Sequence, residues 1–254
     1  MFESIHMPEG AHLLFVAAVF VVAGLVKGFV GLGLPTASMA MLSLAMTPAN
    51  AAALLIVPSL ITNVWQMRPW STLGAMLRRL WRMQAGIVIG TLAGAWVFGA
   101  PAGTGAAASL GVALIAYAAW SLLGARATVA PRTQRWLGPL AGTLTGIVTA
   151  ATGVFVVPAV PYLQALDLTR EELMQAMGLS FTVSTLCLAV ALQTNGAGSA
   201  VLMGSSALML VPAILGMGLG QWLAAKLSPR VFRQCFLASL LLLGGHMLVR
   251  ALTT

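Results

Sequence analysis

The sequence predicts an all-α polytopic membrane protein made of two inverted-topology repeats, each a broken-helix hairpin plus three transmembrane helices. Three observations predict it. Of 254 residues, 59% are hydrophobic and 7% charged, against about 25% charged in a soluble domain, so the chain cannot cover a water-facing surface. Its apolar stretches suit a hydrocarbon core that takes roughly 20 residues per helix. Two of those stretches are too long for one helix, and each is interrupted. This composition excludes a soluble enzyme, an extramembrane receptor domain and a nucleic-acid binder. The net charge of +8 then reports orientation in a lipid bilayer rather than an anionic macromolecule as partner.

In chain order the apolar stretches run 11–46, 48–67, 84–101, 105–124, 136–165, 172–193, 199–225 and 230–250. All but the first and fifth are the size of single spans. The first is interrupted by Lys27-Gly28-Phe29-Val30-Gly31-Leu32-Gly33-Leu34-Pro35. The fifth is interrupted by Thr149-Ala150-Ala151-Thr152-Gly153, with Pro158 and Pro161 beyond. Thr47-Pro48 and Ser228-Pro229 read as N-caps followed by proline at the first helical position. Thr169-Arg170-Glu171-Glu172 reads as a capping box, and Pro35 can open a half-helix. Cys187 and Cys235 lie in apolar runs and suggest neither a disulfide framework nor a metal site. No basic region precedes a small-residue cleavage site, so no cleaved signal peptide is expected.

Orientation follows from the basic residues. Arg68, Arg78, Arg79 and Arg82 are assigned to one loop, and Arg126, Arg132 and Arg135 to the next long one. Arg170 marks a third, and Lys226, Arg230 and Arg233 a fourth. The linkers 102–104 and 194–198 and residues 1–10 carry no Lys or Arg. Placing all four basic loops in the cytoplasm requires the 136–165 stretch to cross an even number of times, as a hairpin does. The same treatment of 11–46 puts the N-terminus outside, with Glu3 and Glu9. Eleven of the thirteen basic residues then face the cytoplasm, all but Lys27 in the membrane and Arg250 at the outer end of the last helix. The expected location is the inner (cytoplasmic) membrane of the cell.

Two halves, 1–125 and 126–254, thus start on opposite sides, which makes them an inverted repeat. Matching motifs support it. Gly24-x-x-x-Gly28 pairs with Gly142-x-x-x-Gly146, Gly90-x-x-x-Gly94-x-Trp96 with Gly216-x-x-x-Gly220-x-Trp222, and Thr47 with Thr169.

The segment Gly24-Leu-Val-Lys27-Gly28-Phe-Val-Gly31-Leu-Gly33-Leu-Pro35, the Ala-rich Pro48-Ala-Asn-Ala-Ala-Ala span ending near Asn63, and a second copy from Gly142 to Pro158 resemble the TauE/SafE sulfite exporter family of bacterial permeases. The resemblance covers nearly the whole chain. It implies a transporter of sulfite, sulfonates or other small sulfur-containing or organic anions. The chain departs from the family's glycine runs at both breaks, reading Gly-Leu-Gly-Leu-Pro and Thr-Ala-Ala-Thr-Gly.

Freed backbone groups cost several kcal/mol each in lipid, so a broken helix persists where protein buries it or where it lines a wet cavity. Two matched breaks therefore point to a transport site. Half-helices starting near Pro35 and near Gly153 would turn their positive N-terminal ends toward the midplane and bind anions. Gly31, Gly33, Pro35, Thr149, Thr152 and Gly153 are candidate substrate-binding residues on this reading. The competing reading gives these glycines to tight helix packing. Lys27, a basic residue deep in an apolar stretch, is either the counter-ion of the substrate or a side chain reaching for headgroups. Ser59 and Asn63, and Ser180 and Ser184, are four residues apart and share helix faces. They either donate to an oxyanion or bond between helices.

Neither catalytic residues nor a cofactor or metal is expected. No serine-nucleophile or zinc-helix motif is present, and Glu3, Glu9, Asp167, Glu171 and Glu172 fall in loops or at helix starts. A carboxylate proton relay is therefore not expected, and export down an inside-negative potential is favoured. An anion channel and a cation-coupled uptake carrier are the alternatives, and self-association into a homo-oligomer stays open.

Overall fold

The computed structural model describes residues 9–101, 103–123, 128–196, 200–226 and 228–253. Glu3, Arg126, the 125/126 boundary between the halves and parts of both uncharged linkers lie outside the described residues. The elements are α1 (Glu9–Val30), α2 (Leu34–Leu42), α3 (Pro48–Gln66), α4 (Trp70–Phe98), α5 (Gly103–Leu123), α6 (Pro131–Thr152), α7 (Ala159–Gln164), α8 (Arg170–Thr194), α9 (Ala200–Leu208), α10 (Leu210–Ala224) and α11 (Pro229–Thr253). Among the described residues every regular element is an α-helix.

Among the described residues six segments are long and apolar enough to cross a membrane: Gly10–Val30, Pro48–Gln66, Gly103–Leu123, Arg170–Thr194, Gly204–Ala224 and Val231–Thr253. The protein is a polytopic helical membrane protein. Its outward faces carry exposed apolar side chains such as Leu123, Ile89 and Leu252, which only lipid solvates without cost. Trp65, Trp70, Trp81 and Trp136 are all at least half exposed beside the arginine-bearing ends, as an interfacial belt requires. The Arg68 guanidinium lies 3.7 Å from the Trp65 ring centre.

The helix starts follow their local chemistry. Thr47 Oγ1 accepts from Asn50 N with Pro48 at the first position of α3. Thr169 and Glu172 close a reciprocal capping box on α8. Gly33, at φ 109°, caps α2 in a conformation that L side chains avoid.

Four expectations change. Arg78, Arg79 and Arg82 lie on α4 rather than in a loop, because that helix begins at Trp70; its 29 residues extend about 43 Å at 1.5 Å per residue, past the hydrocarbon core. Arg132 and Arg135 likewise ride on the first turns of α6. The second break falls after Thr152, not across 149–153. Gly153, at φ 71°, terminates α6 rather than starting a half-helix, and the following α7 has six residues. The 199–225 stretch still supplies one membrane-length segment, Gly204–Ala224, but its helix is interrupted at Met209 between α9 and α10, since Pro212 has no N–H for the carbonyl four residues back.

Close helix pairs hold the bundle together. A Cβ at Gly216 or Gly220 would overlap the carbonyl oxygen of Val21 or Leu25, and one at Gly24 or Gly28 that of Ala213 or Met217. Residue numbers climb together on both sides, so α1 and α10 run parallel. Gly86 on Pro139, Gly90 on Thr143 and Gly94 on Ile147 make α4 and α6 parallel too. By contrast α3 and α8 are antiparallel, with Gly178 against Asn63 and Gln175 Nε2 bonded to Met67 O. So are α5 and α11, with Gly111 against Gly244 and Arg233 on Ser121 O.

The fourth change concerns the breaks, which do not meet at mid-bilayer. Gly31 O accepts from Gln66 Nε2 at the last residue of α3, whereas Gly153 packs on Ala52 in the first turns of α3. Fourteen residues of helix, about 21 Å, separate them. The cause is length: α1 and α6 each run 22 residues before they break, so neither breaks half-way along α3.

Candidate functional site

Lys27 sits in the last turn of α1, 5% exposed. Its Nζ donates to Oδ1 of Asn63, a fully buried residue of α3. A neighbouring amide, not a headgroup, receives the side chain. One turn on, Gln66 Nε2 reaches Gly31 O at 3.1 Å and Met174 O at 3.2 Å. This clamp ties the first break to the ends of α3 and α8. From the break α2 begins, with Gly33 as cap and Pro35 in its first turn. Ser38 Oγ donates to Leu34 O at 2.5 Å.

Buried polar atoms without a protein partner occur along the helices that meet here, from Asn63 on α3 to Thr91, which packs on Gly146 of α6. They include Asn63 Nδ2, Ser59 Oγ and Thr36 Oγ1, and, across on α4 and α8, Gln84 Oε1, Thr91 Oγ1 and Ser184 Oγ. An orphaned buried polar group costs about 1–3 kcal/mol, so a cluster of them marks a place where solute or water completes the bonding. Gln84 Nε2 spans from α4 to Ser180 Oγ at 2.9 Å. Ser59 lies one turn from Asn63 on the same face, and the antiparallel register that sets Asn63 against Gly178 brings it level with Thr182 to Ser184. Among the described residues Lys27 is the one charged side chain in the buried interior, and no Asp or Glu accompanies it.

The structure therefore gathers Lys27, Gly31, Gly33, Pro35, Ser59 and Asn63 around the first break, with Ser180 and Ser184 on the facing helix. Thr149, Thr152 and Gly153 lie at the other end of α3. There Thr149 Oγ1 donates to Thr145 O and Thr152 Oγ1 to Val148 O, both at 2.7 Å, and Thr152 Oγ1 accepts from Val154 N. Their hydroxyl protons are committed to closing α6.

Gln84, Thr36, Thr91 and Gln66, all with polar atoms in this interior, are not among the residues the sequence singles out. Gln84 is an amide inside a helical run, but the apolar stretch 84–101 begins on it, fourteen residues after α4 itself starts at Trp70.

The family model described as sulfite exporter TauE/SafE matches residues 16–247. The chain belongs to this family. No curated protein and no solved structure matches it significantly. The TauE/SafE match takes in both breaks, the Lys27–Asn63 pair and all the parallel helix contacts. Membership makes the chain a membrane transporter of the sulfite or anion type, in a family of transporters rather than enzymes.

Proposed function

We propose that this TauE/SafE protein exports small sulfur-containing or organic anions, such as sulfite or sulfonates, across the inner membrane, binding them beside Lys27. One observation carries the reading: a buried lysine bonded to a neutral amide, with no buried carboxylate among the described residues. A buried cation without a counter-charge is expensive, and an anionic substrate supplies that charge. The free N–H groups at the start of α2, behind Gly33 and Pro35, add the positive end of a helix dipole. Ser59, Asn63, Ser180 and Ser184 offer neutral donors. Thr149, Thr152 and Gly153 belong, on this reading, to the mouth at the other end of the route.

Two inverted halves, 1–125 and 126–254 with the N-terminus outside, supply the machinery for alternating access. The antiparallel courses of α3 against α8, which the Thr47–Thr169 match makes equivalent, and of α5 against α11, the last span of each half, support this. So does the exchange of partners by which α1 packs on α10 while α6 packs on α4.

An inside-negative potential drives a monoanion outward by about 2.3 kcal/mol per 100 mV, roughly fortyfold in concentration ratio. Export therefore needs no coupling ion. The test is flux of sulfite and sulfoacetate in proteoliposomes under imposed potentials of either sign. Saturation, counterflow and loss of flux in Lys27→Ala are expected. Undiminished flux in that variant refutes the site, and flux without saturation or counterflow makes the protein a channel.

A further inference from the structure

The arginine-bearing end of the α4–α6 pair holds a second feature. A polar cavity of about 250 Å³ opens between α4, α6 and α7, lined by Arg79, Arg82, Gln134, Arg135 and Tyr162. No carboxylate lines it. Arg79 Nη2 donates to Leu166 O at 2.9 Å and Arg82 Nη1 to Arg135 O at 3.2 Å. Each guanidinium has five donors, so these anchors fix the arginines and leave further donors for a ligand. Gln134 is braced on Val129 O.

Tyr162 also lines an adjoining apolar groove of about 410 Å³ that runs between α5, α6 and α7 past Trp120, Leu137, Leu144 and Pro161. A comparable apolar groove of about 200 Å³ lies between α1, α2 and α11, but its lining has no basic residue. Of these two grooves, the one past Trp120 shares Tyr162 with the arginine-lined cavity, beside the exposed Trp81 and Trp136.

We propose that this composite is a binding site for one anionic phospholipid, its phosphodiester headgroup among Arg79, Arg82 and Arg135 and one acyl chain in the groove beside Tyr162. The charge complementarity and the shared wall identify the occupant: a free phosphate would use the cavity alone, and a zwitterionic lipid would bring a cation to the arginines. Basic pockets between transmembrane helices take anionic headgroups for this reason.

The test uses the full chain purified in detergent, with lipid retention read by native mass spectrometry and melting temperature read alongside. Phosphatidylglycerol should be retained and raise the melting temperature; phosphatidylethanolamine and inorganic phosphate should do neither. Equal retention of the two lipids, or equal stabilisation by inorganic phosphate, overturns the proposal. Arg82→Gln with Arg135→Gln should weaken phosphatidylglycerol binding about fivefold per arginine. Arg78→Gln, outside the cavity, should stay within about twofold of the unaltered protein. An equal loss in Arg78→Gln means diffuse surface charge and overturns the assignment. The lipid comparison on the unaltered protein decides the question even where the double variant fails to fold.

Discussion

Ser206 Oγ donates to the Leu54 carbonyl at 2.8 Å, the oxygen that Pro58 leaves without a helical donor. The same hydroxyl accepts from Val57 N at 3.0 Å, and Ser206 is fully buried. A residue of α9 thus mends the proline gap in α3, the helix that carries Ser59 and Asn63.

Ser206→Ala should lower stability by about 1–3 kcal/mol, the cost of stranding buried backbone groups. In a Pro58→Ala background the cost should shrink, because α3 regains its own donor to Leu54. Melting curves of the four proteins in detergent form the cycle; an identical cost in both backgrounds excludes the mending role.

Asn63→Asp should give Lys27 a fixed counter-charge. Anion affinity should then fall by about tenfold or more, since substrate must compete with an internal ion pair, while the fold holds. Flux at varied sulfite concentration measures it. Unchanged affinity with intact folding would remove Lys27 from the site.

Gly216→Ala should be poorly tolerated, because its Cβ would overlap Val21 O; overpacking of this kind costs about 1–3 kcal/mol. Gly218, two residues on, has open space at the same point, and Gly218→Ala should stabilise by about 0.5–1 kcal/mol. Thermal melting of the two variants checks the contrast, and equal effects would refute the close parallel crossing of α1 and α10.

With the exposed Cys235 replaced by serine, Thr104→Cys should react with an impermeant thiol reagent added outside cells, and Ala130→Cys only after lysis. Both positions are exposed. The reverse pattern would invert the proposed orientation and place the arginine cavity on the outer side.

The sequence by itself determined the class of protein, the helix starts at Thr47 and Thr169, the two broken hairpins and the family. These rest on composition, capping and chain-local punctuation, which act within a few residues and survive any packing. It also singled out Lys27 and Asn63, since a cation and an amide in an apolar run are costly wherever they land. Only the tertiary structure decided that the two meet, that the breaks lie at opposite ends of α3, and that Gln84 reaches Ser180. The physical reason is that helix length and glycine-set crossings fix the register between segments far apart in the chain. A hydrogen bond's partner depends on that register, not on the residues flanking either end.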